Sequence, residues 1–103
     1  MYVEEMEYCF RAKKAGYQTY FYPQAEVIHR ERGSSAANWQ GKEKAILAIY
    51  QGLIYFYQKH FASWQLFMLR FLLKAKAAGA WLIGFCTNNN YLKKTYVKAF
   101  QLV

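Results

Sequence analysis

Three glutamates open the chain's first amphipathic stretch, at Glu4, Glu5 and Glu7, and a histidine, His29, follows about twenty-five residues later. A carboxylate at the start of a helix can act as a general base, and a histidine at the end of a strand can bind a metal. Spacing alone leaves a plainer reading open for both. Acidic residues in a first turn complement the helix dipole without doing chemistry, and a lone histidine has many structural uses.

The elements that would position these groups can be read from the pattern. Glu4 to Ala15 reads as a helix, with glutamates in its first turn, Arg11, Lys13 and Lys14 in its last, and Gly16 where a terminating glycine belongs. Gln18 to Tyr22, bounded by Gly16 and Pro23, reads as a strand, and Ala25 to His29 as a second short extended run. Gly33-Ser34-Ser35 reads as a loop. The rest reads as helix: Ile46, Ile49, Tyr50, Leu53 and Tyr57 form an apolar stripe, and Ser63 stands where it could cap a second helix. Asn88-Asn89-Asn90 marks a break before a last short helix, Tyr91 to Gln101. The expected fold class is therefore α+β and mainly helical.

Composition narrows the function. The 103 residues are 55% apolar and 20% aromatic, too rich for a disordered tail. All six acids are glutamates, so no Asp nucleophile, Asp-x-Asp metal motif or EF-hand loop can be built from these residues. Cys9 and Cys86 lack metal-ligand spacing and read as two reduced thiols of a cytosolic protein. The early glutamates argue against a secretory signal. Residues 1–32 balance five acids with five bases, whereas residues 33–103 set Glu43 alone against nine bases and so carry the whole net charge of +8. The second half should face something anionic.

Ser63 to Thr87 is apolar over a length that could span a bilayer, but Arg70, Lys74 and Lys76 interrupt it. Three cations near the centre cost about 8–10 kcal/mol, against about 3–5 kcal/mol returned by its Leu, Ile and Phe side chains. A simple span is therefore disfavoured. A helix in the headgroup region, with Arg70, Lys74 and Lys76 held in anionic lipid, fits the same residues, as does a helix buried against the rest of a larger protein. Nucleic acid is not expected as a partner. No binding-motif signature is present, and the bases are embedded among large aliphatic side chains.

The run from Tyr2 through Val3-Glu4-Glu5-Met6-Glu7, Arg11, Ala15-Gly16-Tyr17, Pro23, Val27-Ile28-His29 and Gly33-Ser34-Ser35 resembles the C-terminal part of the catalytic domain in family-2 glycosyltransferases of the GT-A fold. The rhamnosyltransferase-like enzymes of bacterial polysaccharide synthesis are the subgroup it looks most like. The likeness is ordered over some thirty-five residues and continues through Tyr50 to Phe61, where the family has a Tyr- and Lys-rich helix ending near Lys-His, here Lys59-His60.

The resemblance implies that residues 1–35 are the edge of a GT-A α/β domain, a helix plus two short strands. Residues 36–103 would be a basic region of two or three amphipathic helices associated with membrane. By position, Glu4 falls on the family's motif glutamate and Glu5 on its catalytic Asp, which deprotonates the acceptor hydroxyl in an inverting transfer. Glu5 is one methylene longer than that Asp. Glu7 matches the next acidic position, structural or acceptor-facing. His29 matches a histidine that helps a divalent metal, Mg or Mn, hold the nucleotide diphosphate. Arg30, Arg32 and Ser34 lie where phosphate contacts are expected. The complete enzyme would take a nucleotide-sugar donor and a glycan or lipid-linked acceptor, from a peripheral position on the cytoplasmic face of the cell membrane. The family's donor-binding half, with its Asp-x-Asp motif, is not among these residues. This chain alone is expected to hold no metal and to be inactive as a transferase. The competing expectation is a small non-enzymatic basic protein of the membrane surface or of an interaction interface.

Overall fold

The computed structural model describes residues 3–26, 28 and 39–103, and the side chains of Trp39 and Gln40 are not among the features described. Within them lie four helices: α1 (Glu4–Lys14), α2 (Trp39–His60), α3 (Ser63–Cys86) and α4 (Asn90–Leu102).

The ends of these helices are set by local chemistry. After α1, Gly16 adopts a φ of +88°, Gly16 N–H donates to the Lys13 carbonyl and Tyr17 N–H to the Ala12 carbonyl. This is the paired ending that a left-handed glycine permits. The same ending recurs after α3 with Asn88 at φ +50°: Asn88 N–H donates to Phe85 and Asn89 N–H to Gly84. Asn89 also starts α4, its Oδ1 accepting from the N–H groups of Tyr91 and Leu92 at 3.0 and 3.3 Å. Ser63, expected to cap α3, is instead its first residue. The cap position belongs to Ala62, whose N–H donates to Gln65 Oε1 at 3.0 Å, so the reaching-back glutamine replaces the serine.

The expectation of an α+β fold is corrected: no strand occurs among the described residues. Gln18 to Tyr22 and the described part of Ala25–His29 carry β-type side chains, but a ladder needs a neighbouring strand to take its N–H and C=O groups. None lies beside them among the described residues. A backbone bond closes a turn at Pro23 instead, from Ala25 N–H to the Tyr22 carbonyl at 3.2 Å. Tyr20, Phe21 and Tyr22 stand exposed.

The core is where α2, α3 and α4 meet. Tyr50 and Ile54 of α2, Leu73 and Ala77 of α3 and Ala99 of α4 are buried together, with Ile46, Leu47, Leu53, Leu66, Leu69 and Tyr96 packed around them. Tyr50 is 1% exposed, and its hydroxyl, held protonated by burial, donates a long bond (3.4 Å) to the Leu73 carbonyl. Two partners share α2. Its Tyr50 side meets α3 and α4, while Phe56 and His60 meet Phe10 of α1 at ring separations of 5.2 and 4.8 Å. Burial therefore reaches Ile54 and Phe56, outside the single apolar stripe.

The chain is open rather than rounded. Its radius of gyration is 16.6 Å, against about 13 Å for a compact domain of this length, and its shortest extent is 18 Å. That thickness admits two helix layers, so each helix keeps an uncovered side.

The α3–α4 corner supplies a stability test. A Cβ on Gly84 would lie 2.7 Å from Leu92 Cβ and 3.1 Å from the Lys93 backbone nitrogen, whereas one on Gly79 meets nothing within 4 Å. Gly84→Ala should destabilise by about 1–3 kcal/mol through overpacking. Gly79→Ala, in the same helix, should stabilise by about 0.5–1 kcal/mol through propensity. Thermal melts followed by far-UV circular dichroism check both; equal shifts would contradict the close approach at Gly84.

Candidate functional site

The acidic opening of α1 docks on the end of α2. Gly52 permits the approach: a Cβ there would sit 2.5 Å from Val3 Cγ2. Phe10 anchors the other end of the contact, lying among Phe56, His60 and Phe61 with the Lys14 ammonium 4.8 Å over its ring.

Glu7 is the hub between them. Its Oε1 accepts from Lys59 Nζ at 2.7 Å and faces His60 Nε2 at 3.3 Å, and its Oε2 accepts from Arg11 Nε at 2.8 Å. Both carboxylate oxygens are engaged. The Lys59 ammonium first, then the Arg11 guanidinium and the His60 ring, hold its pKa down at about 2, from an ordinary 4.5. Glu7 therefore stays ionised across the working pH range, as a clamp between α1 and α2.

Glu4 and Glu7 share the wall of an open groove of about 500 Å³, with Gln51, Tyr55 and Lys59 of α2 opposite. Glu4 Oε2 accepts from the Val3 N–H at 3.0 Å. Glu5 is exposed and projects about 100° round the helix from Glu4, so the two are not aimed into one space. His29, Arg30, Arg32 and Ser34 lie outside the described residues. Among the described residues no three of His, Cys, Asp or Glu could together hold a metal ion. Fit of the divalent ion implied by the resemblance finds no donor set there, since Glu7 is saturated by cations.

The second candidate surface is α3. Arg70, Lys74 and Lys76 are all exposed. Nine large apolar side chains of the same helix are exposed too, among them Trp64 at 68%, Phe67 at 69%, Phe71 at 61%, Leu82 at 55% and Phe85 at 65%. At about 100° per residue, Trp64, Phe71, Ala75 and Leu82 fall in one sector opposite the buried Leu73, Ala77 and Gly84. Arg70 and Lys74 border that sector on the flank toward α4, where Lys74 Nζ lies 5.4 Å from the Phe100 ring centre. Lys76 borders the other flank, 6.0 Å from the Tyr50 ring centre. No carboxylate side chain occurs after Glu43, and Glu43 itself is engaged by Lys98 at 2.5 Å. No helix among the described residues is long and apolar enough to cross a membrane.

No family model, curated protein or solved structure matches the chain.

The residues that sequence reasoning passed over here are Phe10 as an anchor and Lys59 and His60 as partners of Glu7. The heptad spacing of Val3 and Phe10 on α1 was the available signal.

The clamp predicts a direction with pH. Because Glu7 has a lower pKa folded than its ordinary 4.5, its contribution is present above that value and is lost as pH falls through about 2. Glu7→Gln should lower the melting temperature at pH 7, and the gap to the parent should close between pH 5 and pH 2. A gap independent of pH would mean the ion pairs do not carry the contact.

Proposed function

We propose that this chain is the membrane-docking C-terminal part of an inverting glycosyltransferase, held peripherally on an anionic cytoplasmic membrane face. The observation that carries the docking is the uncovered apolar sector of α3, bordered on both flanks by Arg70, Lys74 and Lys76. Such a helix lies in the interface with its apolar side chains below the headgroups and its cations among them. The absence of any acid after Glu43 removes like-charge repulsion from the lipid.

The transferase part of the reading rests on the motif run. One contact supports it further: Glu7 with Lys59 and His60 ties together the two stretches in which the resemblance lies. In the complete enzyme Glu5 would take the proton of the acceptor hydroxyl, Glu4 would line the adjoining groove, and Glu7 would keep α1 seated on α2. His29 would stand beside the divalent metal of the donor diphosphate, with Arg30, Arg32 and Ser34 toward the phosphates. The docked helix would bring this edge of the enzyme to a lipid-linked or growing glycan. The same α3 surface also serves the second reading, a non-enzymatic basic protein of the membrane surface, in which Glu5 has no chemical role.

Co-sedimentation of the chain with vesicles tests the docking. Binding should be strong to phosphatidylglycerol-containing vesicles, weak to phosphatidylcholine alone, and should fall steeply with salt. The triple change Arg70→Gln, Lys74→Gln and Lys76→Gln should weaken it about 100-fold, at about 1 kcal/mol per cation. Phe71→Ser with Leu82→Ser should weaken it on both lipids; binding unmoved by either set would sink the docking. The chemistry is tested separately in the complete enzyme: Glu5→Gln should abolish transfer and spare donor binding, and His29→Ala should weaken metal-dependent donor binding. Normal turnover by Glu5→Gln would favour the non-enzymatic reading.

A further inference from the structure

A narrow apolar cleft runs between α3 and α4 beside the docking sector. Its volume is about 270 Å³, below the range of about 300–1,000 Å³ usual for sites that enclose a whole drug-sized molecule. Ala77 and Ala78 form its floor, Trp81 one wall, and Val97 and Phe100 the other. The cleft exists because α3 presents the small side chains of Ala77 and Ala78 to α4 before the bulky Trp81. Its walls stay partly open, with Trp81 38%, Val97 42% and Phe100 45% exposed, so nothing within the described residues fills it. Trp81 is further braced by Phe85 at a ring separation of 5.8 Å.

One end of the cleft is charged. Lys74 lies about one helical turn before Ala77 and Ala78, and its ammonium sits 5.4 Å from the Phe100 ring centre, within cation–π range. Among the described residues no carboxylate is paired with it, and Glu43, the last acidic side chain in the sequence, is engaged by Lys98. A narrow apolar slot with an exposed cation beside one end, open along a surface read as lipid-facing, complements an anionic amphiphile.

We infer that the α3–α4 cleft binds one acyl chain of an anionic phospholipid, with Lys74 taking its phosphate. This rests on the docking of α3 at a membrane surface and adds a discrete lipid site to it. A lipid with a neutral headgroup gains the slot but not the charge. Free phosphate gains the charge but not the slot. Both should therefore bind much more weakly than the anionic lipid.

The test uses the full 103-residue chain with Trp39→Phe and Trp64→Phe, leaving Trp81 as the reporter inside the cleft. Dihexanoyl phosphatidylglycerol, kept below the concentration at which it aggregates, should shift Trp81 emission to the blue with saturation at one lipid per chain. Dihexanoyl phosphatidylcholine should bind about tenfold more weakly, and inorganic phosphate should give no shift. Lys74→Ala should bring phosphatidylglycerol down to the phosphatidylcholine level. Ala78→Leu, which fills the cleft without removing a cation or an outward apolar side chain, should abolish the saturable shift while leaving vesicle co-sedimentation intact. Its far-UV spectrum and melt should match the parent.

A shift that survives Ala78→Leu, or one produced equally by phosphate, would overturn the lipid site. So would an absent shift in a chain that still binds anionic vesicles, and in that case surface docking would stand without a discrete site. Loss of vesicle binding by the parent chain itself would remove the docking reading, and the lipid site with it.

Discussion

Helix α3 is apolar round most of its circumference, and among the described residues α2 and α4 are the helices that pack on it. Tyr50, Ile54 and Ala99 close over Leu73 and Ala77, which uses the side facing α2 and α4. The opposite sector, from Trp64 through Phe71 to Leu82, is met by no helix among the described residues. A helix that is hydrophobic all round ordinarily belongs inside a protein or a membrane. Here a two-layer arrangement 18 Å deep allows neither enclosure within the described residues nor, with three cations along its length, a simple crossing. The uncovered apolar surface and the cleft beside it both follow from this shortage of covering surface.

The second organising contact works by the opposite means. α1 buries little, with no residue fully enclosed, and is held by charge and ring packing at a few points. Glu7 collects three cationic or polar partners, and Phe10 collects the rings at the end of α2. Gly52 lets the two backbones come close enough for both. The consequence for the acidic motif is specific. Of its three glutamates, one is committed to holding the helix, one lines a groove beside it, and one stands exposed.

Much of this was legible in local patterns. The acid-to-base gradient and Gly16 marked α1 to within a residue, and the asparagine run marked the α3–α4 break, because capping chemistry depends only on neighbours in the chain. That the three cations of α3 disfavour a simple crossing was also legible, because the cost of burying charge can be summed along a single helix. The strands were not legible in the same way. Gln18 to Tyr22 has the right side chains, but β-structure depends on a partner that no local window contains. Likewise the single stripe on α2 missed Ile54 and Phe56, since α2 serves two neighbours and a periodicity argument assumes one.

By itself, then, the sequence determined the extent of α1 and the break between α3 and α4, which half carries the positive charge, and which residue types are absent from any mechanism. Those properties are sums or nearest-neighbour effects, and distance along the chain is enough to compute them. Only the tertiary structure decided which glutamate is spent on a clamp, which side of α3 remains uncovered, and that two alanines lie opposite Val97 and Phe100 to leave a cleft. Each of those is fixed by groups dozens of positions apart in the chain or on separate helices, and their meeting depends on how helices share a limited apolar surface rather than on any pattern within one of them.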